Sequence, residues 1–327
     1  MGIVSLPANV VGLGGGYPDR IALGSGASRP FGVEGVFEYD GLTLNNRRWI
    51  DTYLITSIDG LSDADIRDTR EVNPGRHGET AFAAYYGGRT IVLTGRIRAH
   101  TILKLRDMQQ ALRQTFAEIG EEKPLIISTG NALQAVQIHC KKSQPIAMSE
   151  VQSDFTHRRD FQLTLRASNP RFVSYVEQRV TWTASGAMTP GAAVAIFTLT
   201  NAGNFPAEPI FRIDGPVSAA TTGGPAAILR ARVDEAGVLT TKTLTINAKA
   251  GTTLAVASGN YLEIDTAKRT MVERVVATGA LVANAFAQLD VTSDWLELAP
   301  GANAIELTVN GSASTPTVVA RYRHTYL

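Results

Sequence analysis

Only one stretch of this chain carries the period of a helix, and that limits what the rest can build. Leu105, Met108, Leu112, Phe116 and Ile119 recur at spacings of three, four, four and three, which predicts an amphipathic helix over residues 103–119. Arg106, Gln110, Arg113 and Glu118 fall off that stripe, and Gly120 is placed to end the helix. Elsewhere the period is two. Phe161, Leu163, Leu165 and Ala167 alternate with Asp160, Gln162, Thr164 and Arg166, as in a strand with one buried face. Residues 49–56 and 90–97 are rich in aromatic and β-branched side chains, and residues 125–127 and 135–138 add further strands. A lone helix must bury its stripe on a sheet, so a mainly β fold is expected.

At 327 residues the chain is about twice an ordinary domain, and two domains are expected, each large enough for its own core. Residues 1–36 are rich in glycine (Gly12, Gly14, Gly15, Gly16, Gly24, Gly26, Gly32, Gly35), carry Pro7, Pro18 and Pro30, and lack periodicity. They are expected to form an extended arm, because such chain loses much entropy on ordering and offers little to bury. Residues 37–171 form the first domain, closed by Asn169-Pro170-Arg171-Phe172. From residue 172 to 327 the composition shifts to Ala, Thr, Gly and Val, with many short strand-like runs and no helical stripe. That pattern predicts two sheets packed face to face. Within it, Pro300-Gly301 suits the centre of a type II turn.

Charge and cysteine usage exclude several classes. The first 171 residues hold 20 basic and 18 acidic side chains and the remainder 11 and 12, so neither half resembles a free-standing nucleic-acid binder. The first half is the more densely charged, which suits a surface that selects partners by complementary charge. The single Cys140 cannot form an intrachain bridge and is expected to be a buried, inert thiol. Residues 1–7 have no basic leader and no apolar run approaches the ~18 residues of a membrane span, so neither secretion nor membrane insertion is expected.

A succession of short motifs resembles the distal tail proteins of long-tailed bacteriophages. In the first half these are Phe37-Glu38-Tyr39-Asp40-Gly41, Ser57-Ile58-Asp59-Gly60-Leu61, Gly75-Arg76-His77-Gly78 and Tyr85-Tyr86-Gly87-Gly88-Arg89 running into residues 90–95, followed by the helix. In the second half they are Phe197-Thr198-Leu199-Thr200-Asn201-Ala202-Gly203-Asn204, Leu262-Glu263-Ile264-Asp265-Thr266 and Trp295-Leu296-Glu297-Leu298-Ala299-Pro300-Gly301-Ala302-Asn303. The resemblance covers residues 37–327. It implies an N-terminal β-sandwich or split-barrel-like domain with one helix, which forms a hexameric ring, and a C-terminal galectin-like β-sandwich that projects outward. It further implies a structural hub in the virion, at the distal end of the tail. The hub's partners are the tail tube protein, the tail-associated hub protein and, beyond them, receptor-binding proteins. DNA passes through the channel without sequence-specific binding.

Chemistry finds no comparable support, and no catalytic, cofactor-binding or metal residues are expected. Gly12-Leu13-Gly14-Gly15-Gly16 is followed by Tyr17-Pro18-Asp19 where a dinucleotide loop needs a helix N-terminus. Asp59, Asp63, Asp65 and Asp68 lack the ligand order of a calcium loop, and Arg67 and Arg70 are interleaved to pair with them. His77, His100, His139, His157 and His324 are scattered without zinc spacing, and His139 and Cys140, adjacent on a strand, point to opposite faces. No Gly-x-Ser-x-Gly elbow occurs, and no carboxylate pair is singled out for glycoside hydrolysis, which leaves a cell-wall hydrolase as a distant third reading. Trp182, Trp295, Tyr175 and Tyr261 suit either a sandwich core or a sugar-stacking face, and the latter defines the alternative function, a carbohydrate-binding adsorption module.

Overall fold

The computed structural model describes residues 35–327 apart from 47, 49, 63, 69, 73–76, 78, 119, 129–134, 150–156, 184–192, 236–237 and 312–315. Residues 1–34 of the expected arm, with the Gly12–Gly16 run, therefore lie outside the described residues, as do Trp49, Asp63, Gly75, Arg76, Gly78 and Ile119. The protein is mainly β, with one α-helix among the described residues. It divides into two compact units, one reaching to Tyr175 and the other Val176–Tyr326.

In the first unit an antiparallel path runs Leu42–Leu44, Val36–Tyr39, Lys123–Ser128, Val136–Lys142, Arg158–Ala167, Arg89–Arg98, Thr52–Asp59. Val136–Lys142 turns the corner. Its residues 136–140 pair with 123–127, whereas Lys141 and Lys142 pair with Arg166 and Leu165. The path thus consists of two half-sheets sharing one strand, a split barrel. Phe172–Ser174 pairs with Val136 and Gln137, so the chain stays in this unit past residue 171. The alternation read from sequence is obeyed: Phe161, Leu163, Leu165 and Ala167 are buried, and so are Ile91, Leu93 and Ile97 on the neighbouring strand.

The helix Ile102–Thr115 fills the space between the half-sheets. Thr101 caps it, its side chain accepting from the Lys104 amide, and Leu105, Met108 and Leu112 form the buried stripe. One tyrosine from each half-sheet grips it. Tyr39 stacks on Phe116 with ring centroids 4.5 Å apart, and Tyr53 donates its hydroxyl to the Met108 carbonyl at 2.8 Å. Burial pushes both phenols up to about 12, so each remains protonated. The helix stops short of the expected Gly120. Phe116 is its C-cap, and the amides of Phe116 and Ala117 close on the carbonyls of Leu112 and Gln114, which satisfies the last turn without a glycine.

The second unit is built from a six-stranded and a four-stranded antiparallel sheet. The first has the order Gln178–Thr183, Thr317–Tyr322, Ile210–Asp214, Asn260–Asp265, Thr270–Val275, Leu281–Asn284. The second has the order Ala193–Asn201, Gly301–Val309, Pro225–Glu235, Val238–Asn247. Their shared core includes Phe211, Ile213, Leu229, Leu244, Leu262 and Leu307, with Trp182 and Trp295 packed at its margin. Two buried asparagines hold the loops at one end. Asn201 donates to the carbonyls of Phe205 (2.8 Å) and Leu298 (3.1 Å), and Asn303 donates to those of Ala299 (2.8 Å) and Gly301 (3.1 Å). Gly301 has φ +94, as the expected type II turn demands.

Of the two buried carboxylates described in this unit, Asp265 and Glu273, the second is fully buried. Glu273 lies 2.8 Å from the Lys249 ammonium and accepts from Asn260 at 2.8 Å. Burial raises its pKa, but Lys249 and Asn260 outweigh burial and hold it below the ordinary 4.5. A depressed folded pKa means the pair stabilises above the unfolded value and loses that contribution as pH falls through the folded one. Unfolding titrations should therefore show stability lost below about 4.5, and Lys249→Met should weaken that dependence. In the first unit, Leu112→Ala should cost about 2–5 kcal/mol in chemical denaturation, because the site is fully buried.

Candidate assembly surface

Arg89 begins its strand on the inward face, in line with Ile91 and Leu93, and is fully buried. Its Nε donates to the Pro170 carbonyl at 3.0 Å, and its Nη1 to those of Gly60 (3.1 Å) and Leu61 (2.7 Å). The guanidinium also lies 4.7 Å from the centroid of the Phe172 ring. Two glycines make room for this junction. Gly60 has φ +85, and a Cβ there would lie 1.9 Å from the Thr90 carbonyl oxygen; at Gly88 it would lie 2.6 Å from that of Ala167. Nearby, Arg166 pairs with Asp65 at 2.7 Å, and the Gly87 amide donates to the Asp65 carbonyl at 2.6 Å.

The chain between Asp59 and Arg89 leaves this junction as a two-stranded ribbon. Ile66–Arg67 pairs with Tyr85–Tyr86, and Arg70–Val72 with Glu79–Ala81. Two strands cannot enclose a core, yet the ribbon is not wholly polar. Ile66 is 68% exposed, Tyr85 67% and Phe82 51%, three large apolar side chains on one short ribbon. At the far end of the same half-sheet Leu103 and Ile50 are 68% and 55% exposed, with Ile102 beside them. There the Asp51 carboxylate meets His100 Nδ1 at 2.8 Å, and that hydrogen bond holds Asp51 below the usual carboxylate range.

The structure scatters the residues weighed for chemistry. Among the described residues no three His, Cys, Asp or Glu side chains group as metal ligands. Asp65 pairs with Arg166 and Asp68 with Arg70 (2.8 Å), while Asp59 stands apart, exposed. His100 pairs with Asp51; His139 is exposed on Val136–Lys142, His77 is exposed, His157 is half-buried, and His324 lies edge-on to Tyr322. Cys140 is buried, its thiol pushed up to about 12 by burial and by Glu122. Tyr175 is half-buried. Tyr261 is buried with Arg212 over its ring at 4.0 Å, and Trp182 and Trp295 are partly buried. Sequence reasoning missed Arg89. The signal was present: an arginine occupying an inward position of a strand must find buried acceptors.

Residues 48–165 match the family model described as the phage tail protein RIFT-related domain. Comparison with curated proteins finds no match. Among solved structures the chain is similar to the Dit (gp 19.1) protein of phage SPP1, described as a paradigm of the hub adsorption apparatus in phages infecting Gram-positive bacteria. Identity there is 15% and the TM-score 0.57, over 90% of this chain and 99% of that one. A chain of the phage P2 baseplate, in its activated conformation with Ca, matches at 8% identity and a TM-score of 0.43, over 90% of this chain and 98% of that one. The first likeness is one of fold.

Replacing Arg89 by methionine should destabilise the first unit by at least about 3 kcal/mol, since hydrogen bonds from a charged donor contribute about 1.5–3 kcal/mol each. Gly60→Ala should act in the same place through strain. Hydrogen exchange should report both losses in residues 52–98 and leave residues 210–309 protected.

Proposed function

We propose that this chain, which carries a phage tail protein RIFT-related domain over residues 48–165 and has the fold of a distal tail protein over 90% of its length, is the structural hub at the distal end of a long-tailed phage's tail. Six copies form a ring that joins the tail tube protein to the tail-associated hub protein, with receptor-binding proteins beyond. DNA passes through the ring without sequence-specific contacts. Residues 37–171 make the ring, residues 172–327 form a galectin-like sandwich outside it, and residues 1–36 reach a neighbour. The role is assembly, with no catalytic step, cofactor or membrane.

The observation that carries this reading is the exposed ribbon rooted in the matched domain. Ile66, Phe82 and Tyr85 face water in a single copy. Burying such side chains against another protein contributes about 1.5–3 kcal/mol each, an adequate reason for them to stand outside any core. A ring also needs two unlike patches on every subunit, and the half-sheet offers one at each end.

One observation favours the carbohydrate-binding alternative. Phe286 is half exposed and stacks on Trp295 with centroids 6.4 Å apart, an aromatic pair open at the surface of the second unit. Native mass spectrometry and negative-stain averages of the full chain should give six-membered rings with no measurable glycan affinity. A monomer or a threefold assembly would sink the ring, and host-wall glycan binding abolished by Trp295→Ala would favour the alternative.

A further inference from the structure

We infer that the ribbon of one copy docks on the opposite end of the same half-sheet in the next copy, a head-to-tail contact between an acidic apolar patch and a basic apolar patch. The inference rests on the ring reading and names the surfaces that would close it. Thr52–Asp59 has eight residues, about 25 Å at the rise of an antiparallel strand, and separates the two patches. The ribbon stands at its Asp59 end.

At the Thr52 end two arginines stand together without a carboxylate of their own. Arg98 stands opposite Thr52 on one side and opposite Arg158 on the other. Like charges facing each other across strands destabilise a sheet. Arg96 is neutralised by Asp160, but neither Arg98 nor Arg158 has an acidic partner among the described residues. The Nε of Arg98 is withdrawn from water and meets no acceptor. Burial, followed by Arg158 and Arg96, holds its guanidinium below the ordinary value. Ile50, Ile102 and Leu103 are exposed around this end, so a partner must bring both carboxylates and apolar side chains.

The ribbon meets both demands. Between Asp59 and Gly88 the sequence holds six carboxylates and three arginines. Asp65 and Asp68 are engaged by Arg166 and Arg70, but Asp59 and Glu71 are exposed with no basic partner among the described residues. Phe82, Ile66 and Tyr85 supply the apolar part. Patches of opposite sign at opposite ends of one rigid half-sheet cannot satisfy each other within a copy. Between copies they do so by a repeated heterologous contact, which closes as a ring or runs on as a filament.

Cysteine pairing tests this in the full chain, because the only native thiol, Cys140, is buried and does not compete. The double variant Phe82→Cys, Leu103→Cys, treated with a short bismaleimide, should give a ladder of covalent multimers, and mixed single variants should stop at dimers. Arg98→Glu with Arg158→Glu should weaken association by about tenfold or more, as should Asp59→Arg with Glu71→Arg, and all four together should recover it. Should a charge variant fail to fold, the ladder decides alone. Wild-type rings without a ladder overturn the contact while leaving the ring reading intact. A wild type that stays monomeric at all concentrations overturns both.

Discussion

The buried guanidinium of Arg89 organises the first unit. Removing a cation from water costs several kcal/mol unless dipoles replace the lost hydration, and here the carbonyls of Gly60, Leu61 and Pro170 do so. Those carbonyls lie 29, 28 and 81 residues away in sequence, so one side chain fixes the end of Thr52–Asp59, the start of Arg89–Arg98 and the exit from Arg158–Ala167. The ribbon inherits its direction from this junction. It has no core of its own, yet both its roots are held, by Arg89 and by the Arg166–Asp65 pair.

The same economy recurs wherever polar groups are buried. Tyr53 donates its hydroxyl to a helix carbonyl, which ties its half-sheet to the helix, and Tyr39 donates to that of Cys140 (3.1 Å), two strands away in its own half-sheet. In the second unit Asn201 and Asn303 each bond two loop carbonyls, which leaves the two-sheet core itself apolar. Arg89 and the two asparagines thus hold loop backbone at the points where strands end. This explains why the recognisable motifs cluster at such points. Ser57–Leu61, Gly87-Gly88-Arg89 and Asn169-Pro170 are parts of one junction, and Thr200–Asn204 and Ala299–Asn303 are parts of another.

A chain organised this way has its chemistry-bearing side chains engaged in structure. Carboxylates pair with arginines across strands, the thiol is buried, and the histidines are dispersed. At the two ends of one half-sheet, exposed apolar side chains stand beside charged ones that have no partner among the described residues. Surfaces of that kind suit joining, where specificity comes from complementary charge.

The sequence by itself determined the period of each element, because periodicity depends only on which face of a helix or strand is buried. The stripe Leu105, Met108, Leu112 and the alternation Phe161 to Ala167 were legible for that reason, as was the turn at Gly301. The tertiary structure alone decided the rest. Whether the helix ends at Phe116 or Gly120 depends on Tyr39, some eighty residues earlier, and where the first unit ends depends on the pairing of Phe172–Ser174 with Val136 and Gln137. Arg89 reads locally as one more strand residue, and its importance appears only when three distant carbonyls converge on it. Likewise, no local pattern places Arg98 opposite Arg158. Register is set by long-range pairing, and it is register that concentrates charge at one end of the sheet.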